Sequence, residues 1–462
     1  MHILGIDLAV RAKHRAILAD ERGQFISPLL KFSTSLAELE QVYALACQGL
    51  AQDEPLAVVL EATDVAWYPV ATFFHQRGAT VYVVNPRTAA DLARFYQRHA
   101  RSDRLSAQTL ARLPVVNPER LDPWAPPGAV CLALKRGCQE LERLTEEASA
   151  IQNRLQSTDH LGWPELHQRV FPDPFSPAAR WFREHFYDPR CVVKAGIPGL
   201  QAAWRGAEAY DGDETWIAPL YALAQEVLAL YGAQGSYLDY AALAAEVQRE
   251  QSRLTAIEAE VQWVRVHVTR PYYRQLHPSR NLETIRGVGQ DGAAVYVAFS
   301  GDISRFGSTR AYRGWSGMVP CSRQSGEQEG KGLHITQAGP DPIKKYAFLS
   351  AETARQWDPQ IAAIYYDQMV NKGKHHTQAV CACATHLLDR IRAVLKEDRP
   401  YELRDVDGTP VTPEQARAII AARYTVPEEV RKRNSHRARR ERAERQKERK
   451  EERRSRSRSA RG

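Results

Sequence analysis

The 462-residue sequence has no run of the roughly 18 uncharged apolar residues that a membrane-crossing helix needs. Its first stretch, Met1 to Ala9, reaches Asp7 early and lacks a basic lead, so no signal peptide is expected. It has no C-x-x-C pair: Cys47, Cys131, Cys138, Cys191, Cys321, Cys381 and Cys383 form an odd set, read as reduced thiols. With 44% hydrophobic and 26% charged residues, 27 glycines and 26 prolines, it is neither disordered, collagen-like nor a disulfide scaffold. A soluble intracellular protein of about two to four domains is expected.

Most of the chain also lacks an excess of positive charge. Lys plus Arg number 63 against 55 Asp plus Glu, a net of +8. Residues 431–462 hold 16 Lys/Arg and 5 acids, a net of +11. The remaining residues carry 47 against 50, a net of −3. The positive excess is therefore a tail property, and the tail, with its Ser-Arg repeats, is read as a separate nucleic-acid-binding arm.

The first 120 residues alternate strands and helices. Ile3 to Ala9, Arg15 to Asp20 and Gln24 to Phe32 read as three strands, with Glu21-Arg22-Gly23 a hairpin turn. Ser35 caps a helix whose apolar residues recur at helical spacing. A buried strand from Leu56 ends at Glu61, and a helix from Trp67 to Gln76, a strand from Thr80 to Val84 and a helix after Pro86 follow. This order predicts an α/β ribonuclease-H-like layer over 1–120, in which carboxylates at strand ends meet at one edge.

Residues 129–270 turn helical, with Ala129 to Leu161 and Tyr237 to Val268 predicted as an antiparallel hairpin or coiled coil around an insert at 162–235. A compact, mainly α domain is predicted for 280–398, a polar connector and helix for 399–430, and the basic tail beyond. Gly287-Val288-Gly289 is a G-x-G turn opening a helix. It reads either as a backbone approach to phosphate or as a tight interhelical turn.

Asp7, at the end of the first strand, and Glu61, at the end of a later one, form the layout by which ribonuclease-H-like nucleases hold Mg²⁺. That ion requires hard oxygen ligands, and a pair of such ions clamps the attacking and leaving oxygens of a phosphodiester. Asp103 is a third acid in the same domain. Asp64 reads as a helix cap or a substitute ligand, and Trp67 and Tyr68 as core. His375, His376, Cys381, Cys383 and His386 contain zinc-type ligands. Cys381 and Cys383 point about 200° apart on a helix, so a small-residue packing face is the reading there.

The order Gly5-Ile6-Asp7, Leu60-Glu61-Ala62-Thr63, Asn85-Pro86 and Ser102-Asp103-Arg104-Leu105-x-Ala107 resembles the DEDD domain of the insertion-sequence one-ten family of transposases. Ile285-x-Gly287-Val288-Gly289, Gly301-Asp302-Ile303-Ser304-Arg305-Phe306, Gly317-Met318-Val319-Pro320 and Ser325-Gly326 resemble its C-terminal serine transposase domain, in the same order. The resemblance implies a RuvC-like acidic site with Mg²⁺ on Asp7, Glu61 and Asp103, and a serine nucleophile at Ser325. It further implies DNA as substrate, a guide RNA in some relatives, a homodimer or tetramer with the coiled coil as interface, and a cytoplasmic, nucleoid-associated location.

Two positions depart from the family pattern. Ser106 stands where the fourth acid of the set is expected, three residues after Asp103 and so on the same helix face. Metal affinity should fall by roughly one to two orders of magnitude. Gln337 replaces a lysine, with Lys331, Lys344 and Lys345 as substitute backbone contacts. A degenerate nucleic-acid-binding protein with this fold, or a metal nuclease not needing Ser325, are the alternative readings.

Overall fold

A computed structural model describes residues 1–51, 54–63, 65–85, 103–232, 237–320, 324–325, 328–329, 335–336, 338–440 and 443. Side chains at 103, 104, 120, 324, 325, 328 and 329 lie outside that description. The helix expected after Pro86, Asp64, Lys331 and Gln337 also fall outside it. The chain forms two compact units, Met1–Pro127 and Gly128–Gly462.

The first unit is a five-stranded mixed sheet with helices on both faces. Its strands are β1 (His2–Asp7), β2 (His14–Asp20), β3 (Leu30–Phe32), β4 (Leu56–Glu61) and β5 (Thr80–Val84), in the order β3-β2-β1-β4-β5. β1 pairs antiparallel with β2 and parallel with β4, and β4 pairs parallel with β5. Leu4 and Ile6 pack with Leu39 and Val42 of helix α1 (Leu36–Cys47) and Val70 and Phe74 of α2 (Trp67–Gln76). Ile3, Ala57 and Val59 turn to the other face and meet Leu110 and Leu113 of α3 (Asp103–Val116). Burial on both faces explains the near-continuous apolar runs of β1 and β4.

One expected strand is shorter than its sequence implied. Only Leu30–Phe32 pairs with β2, not Gln24 to Phe32. Phe25 makes an isolated bridge to Ala19, and the Ser27 hydroxyl, in place of backbone, accepts from the Leu18 N–H. Pro28 has no N–H to donate to a ladder. Trp67, Tyr68 and His75 form edge-on ring contacts with Trp124, the packing role expected of the first two.

The second unit starts with α4 (Ala129–Gly162), and among the described residues it is mainly helical, with one small hairpin. α4 lies antiparallel to α9 (Tyr240–Val264): Arg154 bonds Glu250 and Thr158 bonds Glu246, while Leu141 and Leu144 meet Val264 at the far end. The insert between them carries α5 (Leu166–Arg169), α6 (Pro177–His185), α7 (Pro189–Arg205) and α8 (Ile217–Tyr231). Its Trp163, Phe182, Trp204 and Leu220 share a core with Leu155 of α4 and Val247 of α9. Within this core Asp159 is fully buried and takes a charged bond from Arg183, itself 1% exposed. Burial pushes the Asp159 carboxyl up, but bonds from His167 and Arg183 outweigh it and hold the group below its ordinary value.

After α10 (Arg270–Leu276) come α11 (Gln290–Ser300), α12 (Thr309–Ser316), β6 (Gln324–Ser325), β7 (Gln328–Glu329), α13 (Asp341–Ala354), α14 (Pro359–Tyr366), α15 (His376–Glu397) and α16 (Pro413–Arg423). Their shared core includes Ile285, Tyr296, Ala347, Ile361 and Leu387, and it reaches Val426 of the connector. The basic tail does not begin as a free arm. Residues 428–440 form a further helix, α17, whose buried Asn434 donates to the carbonyls of Met369 and Lys374. An amide with two donors satisfies two buried carbonyls at once, which fixes this helix to the domain.

Candidate active site

Strand register assembles the acidic edge. β1 and β4 run in parallel from His2 beside Leu56 to Ile6 beside Leu60, so the next residues, Asp7 and Glu61, end neighbouring strands side by side. Adjacent strands are about 4.8 Å apart. Side chains alternate along a strand, and Ile3, Ala57 and Val59 already face α3, which puts Asp7 and Glu61 on the α3 face too.

Small residues bring α3 down onto that face. A Cβ on Gly5 would lie 2.3 Å from both the Ala107 oxygen and the Ala111 nitrogen, so helix backbone rests directly on β1. Leu110 and Leu113 sit over Ile3, and Ala107 over Gly5. The helix therefore runs back along β1, with its first turn at the Asp7 end. That turn carries Asp103 and, three residues on, the half-buried Ser106. Burial pushes the Glu61 carboxyl above its ordinary value, because desolvation penalises the anion; a bound cation offsets that penalty.

Sequence reasoning missed two neighbours of this edge. Arg15 stands directly across from Asp7 in the β1–β2 register, on the same face, and the pairing is readable once the hairpin turn is placed. His14 is 3% exposed; its Nδ1 accepts from the Ala9 N–H and its Nε2 pairs with the Thr34 hydroxyl. It thus holds the segment that leaves Asp7. Burial pushes this imidazole below its ordinary value, so it is neutral at pH 7.

In the second unit Ser325 ends strand β6, where it pairs with Gln328 across the two residues that separate the strands. The excursion is pinched at its base. Pro320 bridges Ile335, the Thr336 N–H donates to Val319, and Gly317 and Gly339 make the closest backbone approaches. A Cβ on Gly317 would stand 1.9 Å from the Ala338 oxygen, and one on Gly339 2.3 Å from that of Trp315. Both glycines have positive φ, +74° and +77°, so no other residue fits either place without strain. In sequence, Ser325 and its short strand pair fall between the two sides of this tight base.

The two glycines of the G-x-G turn differ. Gly287 has φ +97° and its Cβ position would lie 2.3 Å from the Ser350 oxygen, which is packing against α13. Gly289 has open space on that side and starts α11 with no side-chain cap, leaving backbone accessible. Lys344 pairs with Asp341, and Lys345 with Glu142 of α4, so both expected backbone contacts carry local carboxylates.

The zinc-type residues are dispersed among other partners. His376 bonds Tyr365, His386 lies by Asp389 and Arg313, and Cys383 is buried against the Ile361 carbonyl with its thiol pushed up to about 12. A protonated thiol is a poor metal ligand. Among the described residues no group of three or more His, Cys, Asp and Glu is placed to hold a metal; Asp7 and Glu61 are the two members of the acidic set described in full.

Comparison with known proteins gives the class first. Residues 4–161 match the DEDD transposase domain of IS110 type, described as a transposase, and residues 279–366 match the transposase family IS116/IS110/IS902. The two matches cover more than half of the chain, and the chain belongs to the IS110 family of transposases. The IS110 43.6 kDa protein of Streptomyces coelicolor is 26% identical over 263 residues, 56% of this chain and 62% of that protein. The IS116 44.8 kDa protein of Streptomyces clavuligerus is 21% identical over 399 residues, 86% and 95% of the two chains. The pilin gene-inverting protein of Moraxella bovis is 27% identical over 128 residues, 28% of this chain and 40% of that one. The chain thus spans less than two thirds of the Streptomyces coelicolor relative. Among the described residues no helix is long and apolar enough to cross a membrane.

Proposed function

We propose that this protein is a transposase or site-specific recombinase of an insertion sequence, which cuts and rejoins DNA strands through Ser325 with help from the acidic edge of a ribonuclease-H-like layer. The observation that carries the reading is the side-by-side ending of β1 and β4 at Asp7 and Glu61, beneath the helix that starts at Asp103.

The residue types fit Mg²⁺: Asp7 and Glu61 offer hard carboxylate oxygens at neighbouring strand ends, Asp103 lies in the helix above them, and Glu61 is an acid whose burial favours a cation nearby. Asp7, Glu61 and Asp103 would hold the ion, with Ser106 a neutral neighbour. When bound, Mg²⁺ supplies positive charge against the charge that develops on the phosphorus oxygens. Arg15, across from Asp7, adds a fixed cation on the same face.

Ser325 acts by attack of its Oγ on a backbone phosphorus. A serine–phosphate bond forms, the phosphorus–oxygen bond to one strand end breaks, and the serine proton passes through a base to that leaving oxygen, which departs as a hydroxyl. The bond conserved in the phosphoserine link allows rejoining to a second strand. Strand exchange needs two duplexes and several serines, so a dimer or tetramer is expected, with the α4–α9 pair as the natural interface. A structured RNA as guide follows from family resemblance.

One observation favours a second reading. Ser106 in place of the fourth acid removes a negative charge from the metal edge, as in a binding protein that kept the fold and lost activity. The test incubates protein with the element's DNA and RNA plus Mg²⁺ and follows strand cleavage. Cleavage lost in Ser325→Ala and in Asp7→Asn supports the proposal. Cleavage that survives Ser325→Ala points to a metal nuclease, and cleavage appearing only in Ser106→Asp identifies the degenerate form.

A further inference from the structure

Arg286 belongs to the G-x-G turn, Trp357 follows the end of α13, and Arg417 lies on α16 of the connector. The Arg286 guanidinium carbon is 5.4 Å from the Trp357 ring centroid and that of Arg417 is 5.1 Å from it. Three segments distant in sequence therefore place two cations over one indole. Each segment is firmly held. Gly287 is stapled to α13 at Ser350, and the Trp357 N–H donates to Ala354 as α13 ends. α16 opens with a capping box of Thr412 and Gln415, has Pro413 in its first turn, and buries Ala416 beside Arg417.

These two arginines differ from their neighbours in what balances them. Arg355 pairs with Glu352, Arg404 with Glu402 and Arg423 with Asp405. Arg286 and Arg417 are both exposed, and among the described residues neither makes an ion pair with a carboxylate. Glu414 is the acid that feels Arg286, and it does so at longer range. Two guanidiniums against one ring with no ion pair among the described residues leave local positive charge, which an anionic backbone offsets. Contact with an aromatic ring also restricts a guanidinium in advance, which favours the forked, two-bond recognition of phosphate.

We propose that Arg286, Trp357 and Arg417 form a clamp for the phosphodiester backbone of nucleic acid, continuous with the open backbone of Gly289. The clamp rests on the reading of the chain as a nucleic-acid-processing transposase. It adds a contact made jointly by the serine domain and the connector helix, and it is independent of the basic tail. DNA and RNA offer the same backbone chemistry, so both are probes.

The test measures binding of full-length protein to a 30-base-pair DNA duplex and to an RNA hairpin of about equal phosphate number, at about 50 to 200 mM salt. The double variant Arg286→Ala/Arg417→Ala should flatten the slope of log affinity against log salt by about two contacts' worth. Over that fourfold range its affinity should fall about tenfold less than that of the wild type. Arg286→Lys/Arg417→Lys should keep most of the slope, because charge is retained, and thermal melting reports any loss of connector docking. A slope change with DNA alone, RNA alone or both supports the clamp and names its source. An unchanged slope for both probes, with or without a lower melting temperature, overturns it and leaves the stack a packing device. Wild-type protein that binds neither probe would overturn the transposase reading together with the clamp.

Discussion

A methyl group on Gly5 would stand 2.3 Å from the carbonyl oxygen of Ala107, so the helix that begins at Asp103 rests on bare strand backbone two residues before Asp7. The obstruction is main chain rather than a flexible side chain and cannot swing aside. Gly5→Ala should therefore lift α3 and destabilise the first unit by roughly 1–3 kcal/mol or more. Thermal denaturation checks this, and Mg²⁺-dependent cleavage should fall further than stability explains, since the same contact sets the distance between Asp103 and the strand ends.

Ser106 is half-buried on α3, three residues after Asp103 and so on the same side of the helix. Ser106→Asp should tighten Mg²⁺ binding by about 10–100-fold, the usual worth of one such metal-site partner. Titration calorimetry of wild type, Ser106→Asp and the neutral Ser106→Asn separates charge from shape: Asn should give none of the gain.

His14 gives a pH signature. Its ring is kept below the ordinary value of about 6.5 by burial, and its Nδ1 accepts from Ala9. The neutral ring is the folded form, so its contribution is complete above the unfolded value and is lost as pH falls through the lower folded value. Urea midpoints should drop between pH 7.5 and 5.5 more steeply in wild type than in His14→Gln, whose amide makes the same two bonds without titrating.

Residues 441–462 carry 10 Lys/Arg and 5 acids, whereas 428–440 is docked through Asn434. A chain ending at 440 keeps the Asn434 contact and should lose part of its salt-dependent DNA affinity. A chain ending at 427 should melt lower, as should Asn434→Ala, which strands two carbonyls at about 1–3 kcal/mol.

Much of the first unit was legible because β1 and β4 are buried on both faces and read as apolar runs that end on acids. β3 was over-extended because Gln24 to Phe32 looks like a strand until the ladder meets Pro28. Arg15 was legible in principle, by counting across the hairpin from Asp7. Asn434 was not, because within a basic run its side chain looks solvated, and only the backbone of residues 369–374 reveals two carbonyls needing a donor. The Arg286–Trp357–Arg417 stack was equally hidden, since its members lie 60 or more residues apart and no local pattern links them.

The most direct test of the serine chemistry is mass spectrometry of peptides from protein trapped on its element's DNA with Mg²⁺ and guide RNA, after nuclease digestion. The expected result is a nucleotide joined through phosphate to the peptide containing Ser325, absent in Ser325→Ala and reduced in Asp7→Asn. Cleaved DNA with no nucleotide on that peptide, or a link at another residue that persists in Ser325→Ala, would contradict it.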